Sequence, residues 1–188
     1  MKNMLAVVFS IGCLATSQSY AMVPKGWFLT GSKPADYTVG SEPGTRTPGS
    51  RNAFILAIKD SDGFGTLMQT INAANYRGKR VRLSGYLRTK DAGKGQMWMR
   101  IDGSKGIVGF DNMDQRPLQG DKPWQRCDIV LDVTTDAKDI AFGFFLSGKG
   151  EVWGDSFQLD VVNADVPVTG GPLSRPSPDA PVNLDFSQ

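Results

Sequence analysis

Aromatic, guanidinium and carboxylate side chains recur at alternate positions in two stretches of the chain, residues 80–90 and residues 96–102. The residues that share these properties are Arg82, Tyr86, Arg88, Trp98, Arg100 and Asp102. A flat ring can cover the apolar face of a sugar while charged groups bond its hydroxyls, so this set predicts a ligand-binding face. The same residues also suit an ordinary solvated sheet, in which Arg and Asp pair across strands and Trp98 covers apolar surface.

The loop Asp111-Asn112-Met113-Asp114 is a second polar candidate. Its side-chain oxygens could contact ligand hydroxyls from the rim of a site, and we include Asp111 and Asn112 in the predicted binding residues. Asp and Asn are also the usual turn residues, and a simple turn is the favoured interpretation of this loop.

The 188-residue sequence contains no histidine. Ser-His-Asp and Cys-His catalysis and most catalytic zinc sites are therefore excluded. The sequence also lacks a Gly-x-Ser-x-Gly elbow and a phosphate-cradling glycine loop. It predicts a protein that is not an enzyme, although two facing carboxylates could still make it a polysaccharide-active one.

The charges of the chain are nearly balanced, with 21 Lys and Arg against 19 Asp and Glu and a net charge of +2. Such a balance gives no extended positive field to hold nucleic acid. A short basic cluster, Arg77, Lys79, Arg80 and Arg82, has no recognised binding motif beside it. We interpret it as the start of a strand and predict no nucleic-acid partner.

Residues 1–21 have the pattern of a signal peptide: a positive start, an apolar run over 5–15, and small residues three and one before a cut after Ala21. The sequence thus predicts a periplasmic or secreted protein. The run is short for a bilayer span of about 20 residues, and no later segment reaches that length, so no membrane span is predicted. Cys13 lies within the predicted signal peptide, so after cleavage Cys127 has no partner for an internal disulfide. The alternating position of Cys127 predicts a buried thiol. The mature protein is predicted to be a monomer.

Period-two alternation dominates the rest of the sequence, and no stretch shows a helical stripe. Regularly spaced short strands without helices predict an all-β sandwich or jelly roll over residues 22–163. The stretches 80–90 and 96–102 are predicted as two such strands, and 140–146, apolar on both faces, as a central one. Residues 164–188 are rich in Pro and Gly and are predicted to form a tail.

Three segments resemble the galactose-binding-like jelly roll of carbohydrate-binding modules. They are Tyr76-Arg77-Gly78-Lys79-Arg80-Val81-Arg82-Leu83-Ser84-Gly85, Pro123-Trp124 entering a strand, and Gly150-Glu151-Val152-Trp153-Gly154-Asp155-Ser156-Phe157-Gln158-Leu159. The resemblance implies a jelly-roll β-sandwich and a structural calcium position at Asp155, with no other cofactor. In the family's paired-acid motif, Ser156 stands here in place of the second acid.

Domains of this type usually begin with a strand like Asn-Leu-x-Phe-Glu before a Gly-Trp pair. Here Gly26-Trp27 has no such predecessor, whereas Asn183-Leu184-Asp185-Phe186-Ser187 lies near the other end of the sequence. Either residues 182–187 dock as the missing strand, or they begin a second repeat. Both alternatives remain open at this point.

Together these features predict an exported, non-catalytic module that binds carbohydrate or another cell-envelope polymer. The alternatives are an envelope module that binds another protein and, less well supported, a polysaccharide-active enzyme.

Overall fold

The computed structural model describes residues 22–171, which form nine β-strands. The strands are β1 Phe28–Gly31, β2 Tyr37–Pro43, β3 Arg51–Ala57, β4 Phe64–Asn72, β5 Arg80–Gly103, β6 Gly106–Asp111, β7 Leu118–Asp132, β8 Asp139–Ser147 and β9 Glu151–Val162. The helical element of this part of the chain is a single 3₁₀ turn, Pro34–Asp36. The predicted signal peptide and residues 182–187 lie outside the described residues.

The strands are hydrogen-bonded in the order β1-β4-β8-β5-β9-β3-β2, with β6 and β7 also paired to β5. This network folds into two layers. The front sheet contains β1, β4, β8, residues 94–103 of β5, and β6. The back sheet contains β2, β3, β9, residues 80–90 of β5, and β7. The predicted all-β fold is confirmed, and β8 is a central strand between β4 and β5, as its apolar faces predicted.

Strand β5 belongs to both sheets. The sequence predicts two strands here, but the structure has one strand of 24 residues. It passes between the layers near Asp91, whose φ is 48°, and its pairing with β7 shifts register around Thr89, Ala92 and Gly95. Because the two halves lie in opposite layers, outward side chains on one half point away from outward side chains on the other.

Alternate residues of the strands fill the core between the sheets. On β5, Leu83 and Leu87 from the back sheet and Met97 and Met99 from the front sheet are fully buried, together with Phe144 on β8. Burying one such side chain contributes about 1.5–3 kcal/mol, so this alternation is what holds the two layers together.

The thiol of Cys127 faces this core from β7 and is buried without a disulfide partner. Burial raises its pKa to about 11, since the thiolate would be poorly solvated there. The residue therefore behaves as a small apolar side chain rather than as a nucleophile. Among residues 22–171, no helix has the length and apolar character needed to cross a bilayer.

Beyond β9 the chain runs along the edges of β7 and β6. The Thr169 amide donates to the carbonyl of Val130 at 2.9 Å, and the Phe110 amide donates to the carbonyl of Gly171 at 2.9 Å. Residues 164–171, the first part of the predicted tail, therefore lie against the sandwich.

Candidate functional site

A cleft of about 970 Å³ crosses the outer face of the front sheet. Its apolar floor consists of Phe64, Met68, Trp98, Phe110 and Phe145. Polar side chains stand around this floor, among them Lys94, Gln96, Arg100, Asn112, Asp114 and Gln119. The volume falls within the range of about 300–1,000 Å³ that small-molecule sites usually occupy.

Period-two alternation on β5 builds one side of this cleft. Met97, Met99 and Ile101 point into the core, so Trp98 and Arg100 point outward into the cleft. In register with these two residues on β8 lie Gly143 and Ala141, whose small size leaves room for the larger side chains. The sequence thus correctly predicted which side chains of this half strand leave the core.

Trp98 is only 8% exposed, so the expectation of an open tryptophan surface is wrong. Its ring packs against Met68 and Ala141 with Phe110 and Phe145 beside it. Its Nε1 donates to Oγ1 of Thr66 at 2.8 Å, and that hydroxyl donates to the carbonyl of Phe144 at 2.9 Å. Trp98 is therefore a fixed part of the floor rather than a free stacking platform.

The more exposed rings of the cleft belong to phenylalanines, none of which was among the binding residues predicted from the sequence. Phe64 is 37% exposed and packs edge-on against Phe145, with ring centroids 5.6 Å apart. Phe145 lies opposite Gln96, and Phe110 lies opposite Arg100. Phe145 had no distinguishing signal, because it lies in a strand that is apolar on both faces. Phe110 lies in a stretch that the sequence presents as polar.

Arg100 provides a cation at one end of the cleft. Its Nη2 and Nε donate to Oδ2 of Asp102 at 2.9 and 3.1 Å, so Asp102 fixes the guanidinium without itself lining the cleft. The prediction that Asp102 itself lines the site is therefore wrong, because its carboxylate is engaged by Arg100. Of the pair, Arg100 is the residue placed to meet a ligand.

Hydrogen bonds also fix the other end of the cleft. Nε2 of Gln96 donates to the carbonyl of Asn112 at 2.8 Å, and the Asp114 amide donates to Oδ1 of Asn112 at 3.1 Å. Nζ of Lys94 lies 3.6 Å from Oδ1 of Asp114. Gln96 lies two residues before Trp98 on β5, so alternation could have predicted that its side chain faces the cleft. Lys94 lies at the bend of β5, where alternation is a poor guide.

Asn112 lines the cleft, but Asp111 does not, so this part of the predicted site is wrong. Asp111 lies opposite the core-facing Met99, which turns its carboxylate away from the cleft. There Oδ1 accepts from the Met113 amide at 2.8 Å, and Oδ2 pairs with Arg116 at 2.6 Å. Asp111 therefore stabilises the turn, as the simpler interpretation of the loop held.

Arg82, Tyr86 and Arg88 lie on the outer face of the back sheet, because β5 changes layers before residue 94. The prediction that they share a face with Trp98 and Arg100 is wrong for this reason. The Arg88 guanidinium lies over the Trp153 ring at 3.9 Å.

The other two residues of this face also have partners within the sheet and its loops. Arg46 lies over the Tyr86 ring at 4.0 Å. Arg82 lies 3.9 Å from Asp128 and 4.0 Å from Asp160. These contacts brace the back sheet.

Asp155 also lies on the back sheet, and its carboxylate faces a cation. Oδ2 accepts from Nε of Arg46 at 2.8 Å, and Oδ1 accepts from the Ser156 hydroxyl at 3.0 Å. Within residues 22–171 there is no cluster of three or more acidic or cysteine side chains suited to a metal. Since calcium prefers six to eight oxygens, this guanidinium-paired arrangement does not fit the calcium position that the resemblance implied.

No protein-family model matches the sequence. The chain is similar to YbfP, an uncharacterised HTH-type transcriptional regulator of Bacillus subtilis strain 168, at 36% identity over 168 residues. The similarity covers 87% of this chain and 57% of YbfP, so the chain spans little more than half the length of that relative.

Solved structures with the same fold include the CBM22-1 xylan-binding domain of Paenibacillus barcinonensis Xyn10C. This domain superposes with a TM-score of 0.52 at 13% identity, covering 76% of this chain and 89% of the domain. The Stig cyclase Fisc of Fischerella sp. TAU superposes with a TM-score of 0.53 at 14% identity, covering 78% of this chain and 89% of the cyclase. These likenesses show the fold alone. The chain has the galactose-binding-like jelly-roll fold of carbohydrate-binding modules, as the sequence predicted.

Proposed function

We propose that this chain is an exported, non-catalytic module that binds a glycan chain of the cell envelope or its surroundings in the front-sheet cleft. The observation that carries the proposal is the composition of the cleft, which has an aromatic floor with hydrogen-bonding groups around it. Sugars present apolar CH faces and hydroxyl edges, and such a lining matches both.

The charges of the cleft favour a neutral ligand. Arg100 is paired with Asp102, and Lys94 lies beside Asp114, so each cation has an acidic neighbour. A polyanion would meet repulsion from these acids, whereas hydroxyl groups can donate to a carboxylate and accept from a guanidinium. Neutral polysaccharides are therefore the ligands to test first.

The fold neighbours support binding as the activity, since one of them is named as a xylan-binding domain. The similarity to YbfP covers 87% of this chain and so includes most of residues 22–171, which contain no α-helix. We propose that this β domain is the ligand-recognition part of the present chain.

The test is a glycan array followed by calorimetric titration of the ligands that it identifies. Arg100→Ala should weaken binding by about tenfold or more, since loss of a charged hydrogen bond costs roughly 1.5–3 kcal/mol. Phe145→Ala should weaken it comparably by removing stacking surface. Trp98→Ala is less informative, because the buried ring also supports the sheet.

The matched control is Arg126→Ala. Arg126 pairs with Asp128 two residues later, as Arg100 does with Asp102, but it lies on the back sheet. Equal losses in both variants would contradict the cleft as the site. A protein that binds no glycan but retains a stable protein partner would support the envelope-interaction alternative. Hydrolysis of a polysaccharide by the purified protein would support an enzyme.

A further inference from the structure

Among residues 22–171, the back sheet has an edge without a partner strand, and this edge lies next to a second cleft. Strand β3 pairs with β9 only from Ala53 to Leu56, opposite residues 151–154. Residues 158–162 of β9 pair with β5 on one side. Within residues 22–171, no strand pairs with the other side of 156–162. Open strand edges present free amide and carbonyl groups that readily accept another strand.

The second cleft, of about 600 Å³, lies between the sheets along this edge. Aromatic rings line its interior: Trp27 packs edge-on against Phe142 and Phe157, with centroids 6.1 and 5.7 Å apart. On the β9 side, Leu159 lines the cleft and Val161 is 51% exposed. This edge therefore offers both backbone hydrogen-bonding groups and an uncovered apolar row.

Residues 182–187, Val-Asn-Leu-Asp-Phe-Ser, have the pattern of a strand that would cover such an edge. Val182, Leu184 and Phe186 alternate with Asn183, Asp185 and Ser187, which is typical of a strand with one buried face.

The chain can reach the edge from where the described part stops. Gly171 is bonded to Phe110 on β6, on the opposite side of the sandwich. The intervening residues 172–181 include four prolines and can span about 33 Å when extended. Five strands spaced about 4.8 Å apart make a sheet only about 20 Å across.

We propose that residues 182–187 of this chain add a strand to the free edge of β9. The strand is antiparallel, with Leu184 opposite Leu159, Phe186 opposite Phe157 and Val182 opposite Val161. This register places the three apolar side chains over the second cleft. It also places Asn183 opposite Asp160 and Asp185 opposite Gln158, so no like charges face each other.

The test is hydrogen exchange of the amides of residues 156–162 in the full-length chain, read by mass spectrometry. Phe186→Asp would put a charge over the aromatic cleft and release the strand, so exchange in 156–162 should accelerate by about tenfold or more. Ser187→Asp is the matched control, because its side chain alternates to the solvent side and exchange should remain slow. Adding a peptide of residues 181–188 to a chain truncated at 180 should restore protection.

Equal exchange in wild type and Phe186→Asp, with unchanged circular dichroism, would overturn the proposal. Protection that depends on protein concentration and accompanies a dimer would overturn docking within one chain. Protection that is lost on deletion of residues 1–21 but kept in Phe186→Asp would also overturn it, by assigning the edge to the other end of the sequence.

Discussion

The carboxylate of Asp136 accepts three hydrogen bonds within residues 22–171. The Ser104 hydroxyl donates to Oδ2 at 2.6 Å, the Ser104 amide donates to the same atom at 3.1 Å, and the Thr134 hydroxyl donates to Oδ1 at 2.7 Å. The Ser104 hydroxyl and then the Thr134 hydroxyl hold the pKa of Asp136 well below its usual 3.8. The carboxylate thereby ties the turn after β5 to the turn after β7.

Asp136→Asn should lower the melting temperature at pH 7 by a few degrees, because the amide cannot accept all three bonds. A carboxyl with a depressed folded-state pKa stabilises the fold above pH 3.8 and loses that contribution as pH falls towards the folded pKa. The difference from wild type should therefore shrink in melts carried out below about pH 4. Asp165→Asn, at an exposed position, is the control. A difference that does not change with pH would contradict this account.

At the scale of elements, β8 carries the tightest constraint under the cleft. A side chain at Gly143 would collide with the carbonyl of Leu67 and come within 3.0 Å of the Cβ of Met68 on β4. Gly143 also lies opposite Trp98 in the sheet. Glycine at this position lets β4, β8 and β5 approach while the tryptophan fills the floor above them.

Gly143→Ala should therefore destabilise the protein by about 1–3 kcal/mol, the usual range for overpacking a tight site. The glycan binding proposed for the front-sheet cleft should weaken as well, because movement of β8 would displace Phe145. Denaturant unfolding would measure the first effect and titration the second. Gly171→Ala is the control, since a side chain there meets no atom within 4 Å. Wild-type stability in Gly143→Ala would refute the constraint.

The course of β5 explains what could be predicted from the sequence. Alternation correctly separated core residues such as Met97 from outward residues such as Arg100. It could not show that the side chains of Tyr86 and Arg100 point to opposite sides of the molecule. Alternation distinguishes side chains that face the core from those that face outward, but it does not tell which sheet a residue belongs to. The stretch 91–95, Asp-Ala-Gly-Lys-Gly, looks like a turn between strands, and only the pairing with β7 and β8 shows that it continues a single strand.

The cleft illustrates the same limit. Its charged and amide side chains come from positions where polarity marks an outward face, as at Gln96. Its open rings, Phe64, Phe110 and Phe145, come from three different strands, and their proximity depends on strand order. Strand order depends on long-range pairing, which no local pattern in the sequence encodes.

At the scale of the whole molecule, β5 couples the two sheets, because it is hydrogen-bonded to β6, β7, β8 and β9. Leu83 on its first half and Met97 on its second half both belong to the single large core cluster. Neither sheet can therefore lose this strand without exposing the core of the other.

Unfolding should accordingly be a single transition, and Leu83→Ala and Met97→Ala should each lower its midpoint. Each truncation of a buried side chain costs about 2–5 kcal/mol. Tryptophan fluorescence and far-ultraviolet circular dichroism, recorded in the same denaturant titration, should give coincident curves for both variants. Separate transitions, with one variant shifting only one of them, would show that the sheets unfold independently.

The places of β1 and β6 in the front sheet also determine how the domain would bear a mechanical load applied between Trp27 and Gly171. Residues before Trp27 enter at β1, one edge strand of the front sheet, whereas Gly171 lies beside β6 at the opposite edge. Tension between these two points would act across the strands rather than along them. Strand β1 is held to β4 through only the pairs from Phe28↔Met68 to Gly31↔Gly65, and it would open one pair at a time. Under tension the domain would thus yield first by unzipping β1 and withdrawing Trp27, which would remove Thr30 and Gly31 from the rim of the front-sheet cleft while its floor on β5 and β8 stayed in place.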